Sequence, residues 1–249
     1  MLKLIINADD FGISPDVNLK IYEASNYGIL TSATIIAGAK SFEEAADYAK
    51  QLDGKIGIGV HLALTGPFNI NTKPNSIIDS GGQFKSDIIN QLKYFKVKQA
   101  DLIDEYSKQV EKILSNGITP THLDHHHHLH KYKPALDAMI SVAKKFGIKY
   151  IRSQVMLNRK KLLSDIYRNL HQSYLSKKLN TIDGYFDFGG VELKEMLVKL
   201  NKLLTSDHEA VEIMLHPGHP AYIDDYVFLT SEKVLAALNN CRLINYGTI

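Results

Sequence analysis

The stretch THLDHHHHLH, residues 121–130, carries six of the chain's 11 histidines, four of them consecutive. Three other stretches gather acids or imidazoles: Asp9 and Asp10 in INADDFG, His61 in IGIGVHLAL, and His216 with His219 in MLHPGHP. One hard carboxylate oxygen and two imidazoles make a three-ligand metal site that keeps positions for water and substrate. Such a metal lowers the pKa of its water from about 15.7 to about 7 and polarises a carbonyl. A second carboxylate then takes the water's proton, and a histidine protonates the leaving group. Asp9, Asp10, His61, one histidine of the run and His216 supply that full set of roles. Cys241 is the only cysteine, so a metal must be held by His, Asp and Glu.

Taken singly, each stretch has a plainer reading. Paired aspartates usually cap or turn, a lone histidine late in a strand is usually a satisfied core residue, HPGHP suits a proline-bounded turn, and the run suits an exposed loop. Their positions favour the chemical reading. Strand and helix signals alternate along the chain. LKLIIN, ILTSATIIAG, IGIGVHLAL, TPTHLDH, IKYIRS, TIDGYFDFGG, AVEIML and RLINY read as strands. Between them, Ser14-Pro15 reads as a helix N-cap with proline at N1, and Gly28 as the residue after its end. Ser41 and Glu44 read as a capping box before a helix that closes at Gly54. A loop rich in Gly and Pro is expected from about 65 to 86, a long helical region from Asp87 to Ser115, and further helices over KPALDAMISVAKKFG, RKKLLSDIYRNLHQSYLSKKL, VELKEMLVKLNKLL and SEKVLAALNN. Seven or eight β/α units imply a parallel sheet, and no repeat or linker divides residues 1–249, so one domain is expected. In such folds the chemistry gathers at the carboxyl ends of the strands, where all four polar stretches fall.

Not every histidine of the run can serve one ion. In an extended segment Asp124, His126, His128 and His130 point one way, and His125 and His127 the other. Parity allows one or two ligands and leaves the facing set open.

Composition excludes several classes. Net charge is only +2, and no basic block alternates with aromatics, so nucleic acid is not an expected partner. The apolar start is too short for a secretory signal, and no stretch reaches about 18 apolar residues, which argues against a membrane span and for a cytoplasmic protein. The subunit count is open, a homo-oligomer included.

In their order and spacing, NADDFGIS, GVHLALTG, THLDHHHHLH and MLHPGHP resemble the four signature blocks of the YdjC/ChbG-type carbohydrate deacetylases, across residues 4–220. The resemblance implies an α/β fold, a distorted TIM-like (β/α) barrel with seven or eight parallel strands. It also implies removal of N-acetyl groups from small amino sugars such as chitin-derived oligosaccharides, with one divalent metal ion, magnesium or zinc. By the same resemblance Asp10, His61 and His126 are the ligands, Asp9 the general base and His216 the general acid. His125 falls at a variable position of the motif. Arg152 in KYIRSQ resembles an arginine block that elsewhere continues with proline and an acid, where Ser153 and Gln154 stand here. Arg152 and His128 are expected at the substrate. The Asp/His₂ set suits zinc better than magnesium on ligand softness. Two other readings compete: another metal hydrolase cutting a phosphoester or a cyclic amide, and a protein that binds metal or sugar without catalysis. The first needs more acidic ligands than the four blocks offer, and the second needs no base or acid.

Overall fold

The computed structural model describes residues 1–157 and 162–249. Its strands are β1 (Lys3–Phe11), β2 (Ser32–Ile35), β3 (Gly57–Leu62), β4 (His122–His125), β5 (Tyr150–Ile151), β6 (Gly184–Asp187), β7 (Ala210–Leu215) and β8 (Arg242–Leu243). All pairs are parallel, in the order β5-β4-β3-β2-β1-β7-β6, with β8 also on β1. β8 takes the first residues of a β1 edge, at Lys3 and Leu4, and β2 takes the same strand from Asn7 onward. The sheet curls into a distorted TIM-like barrel. Isolated bridges from Tyr150 to Asn180 and from Met156 to Tyr185 complete the wall between β5 and β6.

The helices are α1 (Pro15–Tyr27), α2 (Phe42–Gln51), α3 (Ile88–Lys93), α4 (Gln99–Ser115), α5 (Lys133–Lys145), α6 (Leu162–Ser176), α7 (Leu193–Leu204), α8 (Ile223–Thr230) and α9 (Glu232–Ala237). β1 is buried from Leu4 to Phe11, as expected of a parallel strand covered on both faces. α2 buries Phe42, Ala45, Ala46 and Ala49, one helical stripe turned to the sheet. Ser14 caps α1, its hydroxyl accepting the Val17 N–H at 3.3 Å.

Three local expectations change. Gly28 ends α1 in an extended conformation, not a left-handed one; a Cβ there would lie 2.5 Å from the Leu229 carbonyl oxygen, so close approach explains the glycine. Ser41 makes no side-chain cap, its backbone at φ −102° and ψ 27° not being extended, and Glu44 accepts from the Asn18 amide at 2.7 Å instead of closing the box. The helical region 87–115 is two helices. Phe95 turns left-handed, with φ 56°, and the Lys96 N–H returns to the Gln91 carbonyl at 2.8 Å, which closes α3. The helix expected from Arg159 is described from Leu162; residues 159–161 of that expectation lie outside the described residues. α8 was not foreseen in the sequence.

Between β3 and β4 the packing is tight. A Cβ on Gly59 would meet the His122 ring at 2.4 Å, and that ring stacks on Tyr246 with centroids 4.0 Å apart. Gly59→Ala should therefore destabilise the fold by about 1–3 kcal/mol, the usual cost of overpacking. A urea midpoint equal to the parent's would contradict this packing.

Candidate active site and metal centre

In a regular strand neighbouring side chains point to opposite faces. β1 loses its regular register to β2 between Ala8 and Phe11, and Asp10 adopts a left-handed φ of 66°. Consequently Asp9 and Asp10 line the same cavity. β3 carries His61 beside them. The His61 Nδ1 bonds to Asp124 Oδ1 at 2.6 Å, which leaves Nε2 facing Asp10 Oδ1 at 3.3 Å. His126 Nδ1 lies 2.9 Å from the same Asp10 oxygen. The ligand atoms of Asp10, His61 and His126 all fall within 4.8 Å of one another. Burial raises the Asp10 pKa, but its bonds to His126 and His61 outweigh this and hold it well below the usual carboxylate range. For His61, burial pulls the other way, and Asp124 and Asp9 more than offset it, raising the imidazole well above its ordinary value. Anionic surroundings that favour a proton here favour any cation, and a divalent ion binds by releasing such protons. The donor set, one carboxylate and two imidazoles with the far nitrogen of His61 held by a carboxylate, fits such an ion.

The histidine run does not stay extended. β4 ends at His125, and His126–Lys131 form a 3₁₀ segment in which His127 and His128 have φ of 57° and 52°. Alternation therefore stops, and His126, His127 and His128 all line the cavity. His125 lies in the core. Its Nδ1–H donates to the His126 carbonyl at 2.6 Å and its Nε2 accepts from the Tyr106 hydroxyl at 2.7 Å. Burial pushes its pKa down to about 3, so it is neutral. The His126 ring rests edge-on against Phe68, centroids 5.5 Å apart.

Behind Asp9 lies Arg152, fully buried and away from the cavity wall. Its guanidinium donates to Asp9 Oδ2 at 2.8 Å and Oδ1 at 2.6 Å, and to Glu212 Oε1 from Nε at 2.9 Å; it pairs with Asp124 Oδ2 at 2.8 Å. The Tyr246 hydroxyl donates to the other Glu212 oxygen at 2.6 Å. Thr34 donates to Asp124 Oδ2 at 2.9 Å and Asn7 to Asp9 Oδ1 at 2.8 Å. Burial alone would raise the Asp9 pKa; Arg152, with His61, pulls it far below the usual range, so Asp9 is ionised.

His216 follows β7. Its backbone N–H donates to Asp225 Oδ2 at 2.6 Å, and its ring Nδ1 lies 3.8 Å from the same oxygen. Burial lowers the imidazole pKa, but Asp225, Asp9 and Asp10 overcome this and raise it. The cavity, about 410 Å³, thus brings Asp9, Asp10, His61, His126, His128 and His216 together. Sequence reasoning passed over Asp187, Tyr222 and Asp225 here, and Thr34 and Glu212 behind the wall. Glu212 had a readable signal, an acid inside the apolar run AVEIML.

Residues 3–240 match the model of the family described as YdjC-like protein. The chain belongs to the YdjC-like family. Among its relatives, the carbohydrate deacetylase of Clostridium beijerinckii is 32% identical over 100% of both chains, and that of Thermoanaerobacter pseudethanolicus 31% over 100% of both. A crystal structure from Enterococcus faecalis V583, described as a cellobiose-phosphate cleavage protein, is 29% identical with a TM-score of 0.79, covering 98% of this chain and 97% of that one.

One glycine links loop packing to the site. A Cβ on Gly38 would sit 1.8 Å from the Phe68 carbonyl oxygen, so Gly38→Ala must displace the residue that braces His126. Zinc titration of the metal-free variant should show affinity reduced by about tenfold or more, the scale of lost support around a ligand. Affinity equal to the parent's would show that Phe68 does not orient His126.

Proposed function

We propose that this protein is a metal-dependent hydrolase that removes N-acetyl groups from small amino sugars or chitin-derived oligosaccharides. The observation that carries the reading is an ionised, buried Asp9 beside a three-ligand set, in one cavity with a histidine whose pKa is raised. The relatives named carbohydrate deacetylase support the sugar as substrate.

Asp10, His61 and His126 would hold the ion, which when bound supplies an acidified water and polarisation of the acetyl carbonyl. The mixed donor set suits zinc or another transition ion better than magnesium. Asp9 takes a proton from the attacking water. Arg152, expected at the substrate, is instead a positioning residue; its two bonds to Asp9 fix that carboxylate and keep it ionised in a buried place. His216 gives a proton to the departing nitrogen. Its raised pKa keeps the acid form present to a higher pH than an ordinary histidine allows, and the acid is lost as pH rises through that value. His128, half-buried on the cavity wall and 5.5 Å from the Tyr185 ring, would contact the sugar.

A two-metal phosphoesterase is a poorer match. Asp9, His61 and Asp124 form a second cluster of donor atoms, but the Arg152 guanidinium already pairs with both of its carboxylates.

The test is acetate release from N,N′-diacetylchitobiose by protein stripped of metal and then reloaded with zinc. Release should need the metal. Asp9→Asn should keep bound zinc yet lower turnover by roughly 10²-fold or more. Metal-independent release, or an Asp9→Asn protein with full activity, would sink the proposal.

A further inference from the structure

Asp187 lies in the cavity and has no role in the account above. It closes β6, which pairs in parallel with β7 at Asp187 and Met214, two residues before His216. The Gly189 N–H donates to Asp187 Oδ1 at 3.0 Å and fixes the carboxylate. A Cβ on Gly189 would stand 3.2 Å from Asp187 Oδ1 and 3.2 Å from His216 Nδ1. An anion and the proposed proton donor therefore flank one gap, kept open because residue 189 has no side chain.

The two acetyl linkages that a sugar can carry end differently at such a place. In amide hydrolysis the water oxygen bonds to the acetyl carbon and a water proton passes to Asp9. His216 gives its proton to the nitrogen of the tetrahedral adduct, which carries positive charge until the C–N bond breaks. Acetic acid and an amine result, and the acid's proton moves to the amine, leaving acetate and a sugar ammonium. In ester hydrolysis the far less basic oxygen takes its proton only as the C–O bond breaks, so the alcohol leaves neutral with no cationic stage. A fixed carboxylate stabilises a leaving group that gains positive charge and gives an alcohol no comparable help.

We propose that Asp187 is a specificity residue that makes this site prefer amide-linked over ester-linked acetyl groups, by binding the sugar nitrogen as it becomes cationic. The inference rests on the deacetylase reading and adds the class of leaving group to it.

The test uses full-length Asp187→Asn, in which the amide oxygen keeps the Gly189 bond, with thermal unfolding as the check on folding. Acetate release is measured from N,N′-diacetylchitobiose and from O-acetylated cellobiose. Calorimetry at about pH 6, where a primary amine is cationic, measures binding of the deacetylated chitobiose and of cellobiose. Turnover of the amide should fall at least tenfold and that of the ester by less than about threefold. Affinity for the diamine should fall at least tenfold and that for cellobiose stay the same, while Asp187→Glu, which keeps the charge, should retain the preference. Equal losses on both substrates, or unchanged diamine affinity, overturn the inference and leave the deacetylase reading standing. If the parent releases acetate from neither substrate, the deacetylase reading fails; the binding arm then decides alone, weaker diamine binding supporting the role of Asp187 and unchanged binding overturning it.

Discussion

One buried guanidinium organises this site. Arg152 is shared by Asp9, Asp124 and Glu212, all of them buried. A carboxylate removed from water must be paired or it takes up a proton. Here one cation does the pairing for two groups with different duties. Asp9 must be ionised to accept a proton. Asp124 must accept from the Nδ1 side of His61, so that Nε2 turns to the metal position. Arginine suits this because its planar fork donates in several directions at once and does not deprotonate. Lysine, whose three donors sit on one nitrogen, lacks the spread by which the fork reaches both Asp9 oxygens and Glu212. Glu212 accepts from the arginine Nε and is itself held by the Tyr246 hydroxyl. The metal position and the proposed base are thus two ends of one ionic network.

The barrel brings these charges together. Asp9 and Asp10 come from β1, His61 from β3, Asp124 from β4 and Glu212 from β7. Parallel strands all end on the same rim, so residues far apart in the chain converge there. The rim is also where the backbone departs from regular geometry. Asp10, His127 and His128 sit in the left-handed region, which costs non-glycine residues free energy and concentrates at functional positions. At Asp10 that departure puts two adjacent carboxylates in one cavity, an arrangement closed to a regular strand.

Much of this was legible in the sequence. Apolar runs of strand length, alternating with amphipathic helices, pointed to a parallel α/β sheet, the family resemblance pointed to a barrel, and the polar stretches fell at strand ends. What stayed hidden depended on backbone turns and on long-range partners. The side-chain parity of the histidine run failed after His125, because alternation holds only while the chain is extended. The function of Arg152 could not be read from KYIRSQ, since two of its three carboxylate partners, Asp9 and Glu212, lie 143 and 60 residues away. Asp225 had no local mark at all; it matters because α8 packs it beneath the His216 backbone N–H. Glu212 was the exception, a charge in an apolar strand that called for a buried partner.

The central claim is one metal ion in the Asp10–His61–His126 set, with arginine instead of a second ion between Asp9 and Asp124. Anomalous diffraction at the zinc edge, from crystals of the zinc-loaded protein, tests it most directly. The account predicts one anomalous peak, bonded to Asp10, His61 and His126, with Arg152 still paired to Asp9. A peak between Asp9 and Asp124, or a zinc site that excludes His126, would contradict it.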